Sequence, residues 1–129
     1  MLPSFKKLLL PFLSCGVVLA IARLCQILLY LPWSKVPFNA AGELENEAIA
    51  DPPDWTIEIL SPGQRSTKVI DNILYCLDFG CHLGWLLDPE DHAVLVFQPN
   101  QSLRIFRGDD APNIPSKIPL QLTVNQIFS

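Results

Sequence analysis

The first 42 residues of this chain contain no acidic residue, although the full sequence has 13 aspartates and glutamates. That stretch carries four basic residues and a net charge of +4, whereas residues 43–129 carry five basic residues and a net charge of −8. The total of −4 argues against a protein that holds nucleic acid by charge alone, because phosphate binding depends on clustered lysine and arginine. Two regions of different composition are joined in one chain.

Cysteine and histidine are few, and their spacing does not fit a closed zinc site. The sequence has four cysteines and two histidines. Cys76, Cys81 and His82 are close in sequence, but no second Cys/His pair supplies a fourth ligand. The pattern favours reduced thiols in a cytoplasmic protein. A chain of 129 residues is long enough for one modest domain and too short for two.

Long apolar runs are confined to the N-terminus. The run from Leu8 to Leu31 contains one charge, Arg23, and a helix needs about 20 residues to span a bilayer. Lys6 and Lys7 precede it, as in a signal peptide. Four interpretations stay open: a membrane anchor, a cleaved signal, a buried hydrophobic helix, and a segment foreign to the original protein. The abrupt change in charge favours the foreign segment, so we divide the chain into a hydrophobic segment, 1–31, and a domain, 32–129.

The rest of the chain indicates a strand and a helix followed by a second strand. Trp55 to Leu60 alternates, with Glu58 on the face opposite Trp55. A helix is predicted from about Ser66 to Phe79, capped by Ser66 or Thr67. Leu83 to Asp88 is nearly all apolar, which is typical of an interior strand. This order predicts an α/β sheet with a helix packed on it.

A hairpin and a short helix are predicted at the C-terminus. His92 to Gln98 and Ser102 to Arg107 are two strands joined through a turn, and Thr123 is placed to cap a last helical turn. Arg104 and Arg107 are predicted to share one face of the edge strand, which makes them candidates for phosphate contact.

Several of these segments together resemble a known family. The quoted segments are Pro53-Asp54-Trp55-Thr56-Ile57-Glu58-Ile59-Leu60-Ser61-Pro62, Lys68, Asn72-Ile73-Leu74 and Leu83-Gly84-Trp85-Leu86-Leu87-Asp88-Pro89. They resemble the Uma-two family of restriction endonucleases, which is abundant in cyanobacteria and belongs to the PD-(D/E)XK nuclease superfamily. The resemblance runs from about Pro32 to Phe128. It implies a restriction-endonuclease-like mixed sheet with a packed helix and a C-terminal β-hairpin, with the N-terminal part of the core incomplete.

The resemblance also implies a Mg²⁺-dependent DNA endonuclease. In such enzymes two acids hold Mg²⁺ beside a lysine, because phosphodiester hydrolysis needs its charge neutralised and a water activated. Glu58 matches the second acid and would bind the metal. Leu60 occupies the usual place of the lysine, and Lys68 on the following helix matches that lysine as a catalytic residue. Arg65 is a weaker substitute.

The first acid has no clear match. Asp54 is a weak alternative, because four residues along a strand separate it from Glu58 by about 13 Å, whereas carboxylates that share one Mg²⁺ lie within a few Å. The family pattern places Pro-Asp on the preceding strand, where Cys25 to Pro32 contains no acid. The sequence therefore predicts a chain that is truncated or altered at its N-terminus, with impaired catalysis.

Alternatives to an impaired endonuclease also follow from the sequence. One is a non-catalytic remnant that keeps the fold, and another is a membrane-tethered protein-binding domain. DNA is the partner that the resemblance implies, while a homo-oligomer and, through Leu8 to Leu31, a membrane stay open as further partners. The expected location is the cytoplasm, with membrane anchoring through the hydrophobic segment as the alternative.

Overall fold

A mixed sheet of six strands, in the spatial order β1 to β6, forms the centre of the protein. The computed structural model describes residues 17–21, 26–31, 40, 54–116, 118 and 121–129. All neighbouring strands are antiparallel except β3 and β4, which are parallel. The elements are β1 Val17–Ile21, β2 Gln26–Leu31, β3 Trp55–Ile59, α1 Ser66–Asp78, β4 Leu83–Asp88, β5 Ala93–Phe97, β6 Arg104–Arg107 and α2 Val124–Ile127. The predicted sheet, packed helix and C-terminal hairpin are confirmed.

Helix α1 connects the two parallel strands, since a parallel pair requires a crossover. Strand β3 leads into a turn through Pro62 and Gly63, where glycine adopts a φ of +78° at little cost. The N-cap of α1 is Arg65, which makes no side-chain capping hydrogen bond. The prediction that Ser66 or Thr67 caps the helix is wrong, because both already lie within its first turn.

The face of the sheet that carries Thr56 and Glu58 lies under α1. Val69 and Ile73 of the helix pack in a cluster with Leu86 and other side chains of this face. The helix approaches so closely that a Cβ on Gly84 of β4 would overlap Cγ2 of Ile73. Glycine at that position therefore sets how near the helix lies to the face on which Glu58 is buried.

The opposite face is covered by the C-terminal segment, including α2. The indole rings of Trp55 and Trp85 meet edge to face, with centroids 4.7 Å apart, in the core of this side. Thr123 forms a capping box with Gln126 at the start of α2. The predicted capping role of Thr123 is confirmed, and Glu58 faces away from this larger apolar core.

Strands β1 and β2 arise from the N-terminal hydrophobic segment. β1 pairs with β2, and β2 pairs with β3, so the sheet continues across the predicted boundary at residue 31. Part of the run from Leu8 to Leu31 is thus extended, whereas two of the four open interpretations, the membrane anchor and the buried helix, require a helix there. An interior strand is apolar on both faces, so its composition resembles that of a buried helix. The foreign origin of segment 1–31 stays a prediction, and Leu8 to Gly16 and Arg23 lie outside the described residues.

The helices that the structure describes do not include one of the length and apolarity that crossing a bilayer requires.

Arg104 and Arg107 lie on opposite faces of β6, which corrects the predicted shared face. Their positions in the register are opposite Val96 and Ala93, and an odd separation along a strand reverses the face. The Arg107 guanidinium also donates to Asp91 at 2.6 Å. The two arginines therefore do not form one phosphate-binding patch.

Candidate functional site

Glu58 is buried between β3 and α1, with only 2% of its surface exposed. Of the polar side chains that the structure describes, only Glu58 and Thr56 fall in the buried class. They lie two residues apart on β3 and so share the face beneath the helix. A charged side chain is rarely buried to this extent without a partner or a function.

Burial raises the pKa of Glu58 from 4.5 to about 7, and a hydrogen bond with the Asn72 side chain partly opposes this effect. Oε2 of Glu58 is buried and has no hydrogen-bond partner among the described groups. Leaving an acceptor unsatisfied in the interior costs free energy. The carboxyl group therefore holds its proton up to near-neutral pH, and its Oε2 receives no hydrogen bond from the part of the chain that the structure describes.

Cys76 lies one helical turn after Asn72, over the same face of the sheet. Burial raises the pKa of its thiol, the negative charge of Glu58 raises it further, and a hydrogen bond with the Thr56 side chain lowers it. Cys76 is partly exposed and is not in a disulfide. Glu58, Asn72, Thr56 and Cys76 thus form one small polar cluster between β3 and α1.

In this cluster, successive contacts between α1 and β3 are spaced by nearly the same distance along the helix and along the strand. Asn72 reaches Glu58 and Cys76 reaches Thr56, so four residues of α1 correspond to two residues of β3. Four helical residues advance about 6 Å and two strand residues about 6.6 Å, so the correspondence holds over several steps. One further turn toward the helix N-terminus brings Lys68 level with Leu60.

The other predicted residues lie at the ends of this cluster or beyond them. Lys68 is exposed in the first turn of α1, and Arg65 is exposed at its N-cap. Asp54 precedes β3, accepts the backbone N–H of His82 on its carbonyl at 3.3 Å, and acts electrostatically on Cys81. Asp54 therefore lies toward the end of β3 away from Glu58 and stays the weaker alternative.

Asp88 is the acid that the register brings nearest to Glu58. Leu86 of β4 is the direct neighbour of Glu58, and Asp88 follows two residues later on the same face. Its Oδ1, however, accepts the backbone N–H groups of Glu90 and Asp91, both at 3.2 Å. The carboxylate of Asp88 thus closes the turn after β4, and its charge is not among the causes of the raised pKa of Glu58.

The donors that the structure describes around Glu58 do not complete a magnesium site. Mg²⁺ prefers oxygen ligands, usually including carboxylates, in octahedral geometry. The cluster supplies one carboxylate, with an amide, a hydroxyl and a thiol nearby, and the described residues include no group of three or more His, Cys, Asp or Glu suited to a metal. Oε2 of Glu58, which has no hydrogen-bond partner among the described groups, is suited to a cation. The other possible ligand atoms of the cluster do not suit Mg²⁺.

The sequence alone does not predict a role for Asn72, Cys76 or Thr56. Asn72 and Cys76 interrupt the apolar side of α1 at a spacing of four residues, which puts them on one face of the helix. That spacing is a usable signal for a polar cluster. Its position above Glu58, however, depends on how α1 crosses β3, which the sequence does not contain.

Two comparisons with known proteins agree with this architecture. The family model of Uma2, described as putative restriction endonuclease, matches residues 33–125. A crystal structure described as a putative nuclease belonging to DUF820, from Anabaena variabilis, superposes with a TM-score of 0.76 and 30% sequence identity. The superposition covers 98% of this chain and 75% of that chain. No curated protein sequence matches the chain significantly.

Proposed function

This chain belongs to the Uma2 family. On that premise we propose that it is a DNA endonuclease of the Mg²⁺-dependent kind, with catalysis that is impaired because a second metal-binding acid is lacking. The observation that carries the proposal is the burial of Glu58 beneath α1, with one carboxyl oxygen that has no hydrogen-bond partner among the described residues. Nucleases of this superfamily act through divalent metals, so the retained acid points to the ancestral chemistry. The absence of acids from the first 42 residues points to its impairment.

Glu58 is proposed as the metal-binding residue and Lys68 as the residue that would face the charged phosphate. The matching steps of α1 and β3 support Lys68, since they bring it level with Leu60, where the superfamily lysine is expected. Because Lys68 is exposed, its ammonium group is free to reach a phosphate oxygen outside the cluster. Neither residue replaces the missing carboxylate, which normally positions the metal and offsets its charge.

DNA is the proposed substrate, and the cytoplasm is the proposed location. Cys76 and Cys81 are free thiols, as expected in a reducing compartment. The net charge of −8 on residues 43–129 gives little non-specific affinity for DNA. Weak binding therefore adds to the effect of the incomplete metal site.

We expect little or no Mg²⁺-dependent cleavage by the natural chain. The assay is nicking of supercoiled plasmid with Mg²⁺ or Mn²⁺, run beside Glu58→Gln, which keeps the shape of the side chain and removes its charge. Nicking by the two proteins should be equal and close to the buffer background. Clear nicking by the natural chain that disappears in Glu58→Gln would disprove the impairment and would identify Glu58 as the site.

The second candidate is a non-catalytic protein that keeps the nuclease fold. The engagement of Asp88 with the turn after β4 favours it, because one oxygen of the nearest acid in the register, Oδ1, already accepts two backbone N–H groups. Equal binding of plasmid by the natural chain and by Glu58→Gln, with no cleavage even at high Mn²⁺ and protein concentrations, would favour this candidate. Weak cleavage under those conditions that Glu58→Gln loses would favour an impaired enzyme.

A further inference from the structure

The outer side of α1 exposes three large apolar side chains. Leu74, Tyr75 and Phe79 are 45%, 68% and 60% exposed, and the rings of Tyr75 and Phe79 stack with their centroids 5.9 Å apart. The inner side of the helix packs on β3 and β4, so these residues lie on the side away from the sheet. Neither the metal site nor the phosphate contact uses them. Exposed aromatic and aliphatic side chains that are grouped on a surface helix are typical of a contact with another molecule.

The charges at the two ends of α1 are placed against the dipole of the helix. Arg65 and Lys68 lie at the N-terminal end and Asp78 lies at the C-terminal end, while the first turn has no acid and the last turn has no base. A helix is stabilised by the opposite order, with acids at its N-terminus and bases at its C-terminus. The observed order becomes favourable beside a second helix that runs in the opposite direction, because the dipole of that helix is reversed.

We propose that α1 pairs in antiparallel orientation with α1 of a second copy of this chain, so that the protein forms a homodimer. Four exposed residues follow one another at spacings of three, four and three, namely Lys68, Asp71, Tyr75 and Asp78. This is the spacing of the a and d positions along which two helices meet. In an antiparallel pair centred at the level of residue 73, Lys68 lies opposite Asp78 of the second copy. Asp71 then lies opposite Tyr75, whose hydroxyl group can donate to the carboxylate.

The order of the charges favours a second copy as the partner. DNA is disfavoured on this side of α1, because Asp71 and Asp78 lie beside the exposed rings and repel phosphate. A second copy presents the same charges in reverse order, so the contact between Lys68 and Asp78 occurs twice, once at each end of the symmetric pair. Leu74 and Phe79 occupy positions next to the contact line, where they bury apolar surface against the second copy.

The dimer should be weak. Stable interfaces bury roughly 800 Å² per partner, and one side of a helix of 13 residues supplies only part of that area. Charged residues at contact positions fix the register of a helix pair at a cost in stability. The inference goes beyond the nuclease function and does not rest on it, although a Lys68 that pairs with Asp78 is less accessible to a phosphate.

The test is sedimentation of the full chain over a range of concentrations, beside two single charge reversals. We expect the natural chain to shift from monomer to dimer as its concentration rises. Lys68→Asp and Asp78→Lys should each weaken self-association by roughly tenfold or more, because each substitution places like charges opposite each other twice. An equal mixture of the two reversed chains should dimerise again, since every reversed charge then faces its opposite. Recovery in the mixture also shows that both variants fold.

Two further variants separate the α1 surface from the other exposed apolar residues. Tyr75→Ala should weaken the dimer, whereas Leu103→Ala, which removes an exposed side chain outside α1, should leave it unchanged. A natural chain that stays monomeric at every concentration would overturn the proposal, and so would a mixture of the reversed chains that stays monomeric. Dimerisation that is lost in Leu103→Ala and kept in both charge reversals would place the interface near β6 instead. These measurements contain no DNA, so their failure leaves the nuclease proposal standing.

Discussion

Replacing Glu58 by glutamine should stabilise the protein above pH 7 and leave its stability nearly unchanged near pH 4. The pKa of Glu58 is raised from 4.5 to about 7 in the folded chain, so between these values the folded state binds a proton that the unfolded state has lost. Stability therefore falls as pH rises through this window, and it levels off above about pH 7. Glutamine is neutral throughout and should not show the fall.

The difference between Glu58→Gln and the natural chain above pH 7 should reach at most about 3 kcal/mol. The measurement is denaturant unfolding across the pH range in the presence of a chelator. Asp71→Asn, which removes an exposed carboxylate next to Asn72, is the control for loss of one charge and should follow the natural profile. Parallel profiles for the natural chain and Glu58→Gln would show that Glu58 is not buried as described.

Ile27→Asp should create the missing partner acid and strengthen Mg²⁺ binding by roughly tenfold to a hundredfold. The register places position 27 of β2 directly opposite Glu58 of β3, and directly opposed positions in an antiparallel pair lie on the same face, about 5 Å apart at Cβ. Two carboxylates at that spacing can share one Mg²⁺. Without metal the same substitution should destabilise the chain, because two like charges then face each other.

Ile27→Asn is the matched control, since it introduces a polar side chain of the same size without the charge. Leu28→Asp provides a second control, because its register partner is Ile57 on the opposite face. Calorimetric Mg²⁺ titration of all four chains should show tightening only in Ile27→Asp, and plasmid nicking should follow it. Equal tightening in Leu28→Asp would mean that any added acid suffices, which would contradict the proposed geometry.

The β3–α1–β4 unit was predictable because its signals are local. The alternation from Trp55 to Leu60 fixes a strand, the stripe that includes Val69 and Ile73 fixes a helix, and the structure has both within a residue of the expected bounds. The position of Glu58 opposite Trp55 follows from the same alternation. The burial of Glu58 does not, because it depends on α1 lying over that face, which the small residue Gly84 permits.

The N-terminal strands and the polar cluster were not predictable in the same way. The residues of β1 and β2 show no alternation of polar and apolar side chains. A membrane helix has the same apolar composition, so the sequence does not distinguish the two. The cluster of Asn72 and Cys76 over β3 depends on the matching steps of a helix and a strand. That correspondence depends on how the helix crosses the strand in the folded protein. The sequence therefore shows only that Asn72 and Cys76 share one face of the helix.

The central claim is that Glu58 has no second metal-binding carboxylate beside it. The most direct test is to titrate the natural chain with Mg²⁺ while the side-chain amide of Asn72 is observed by NMR. Asn72 bonds the Glu58 carboxyl group, so a metal bound there must shift its signal. We predict no saturable shift at physiological Mg²⁺ concentrations. A saturable shift that is absent in Glu58→Gln would contradict the claim and would mean that another acid of this chain completes the site.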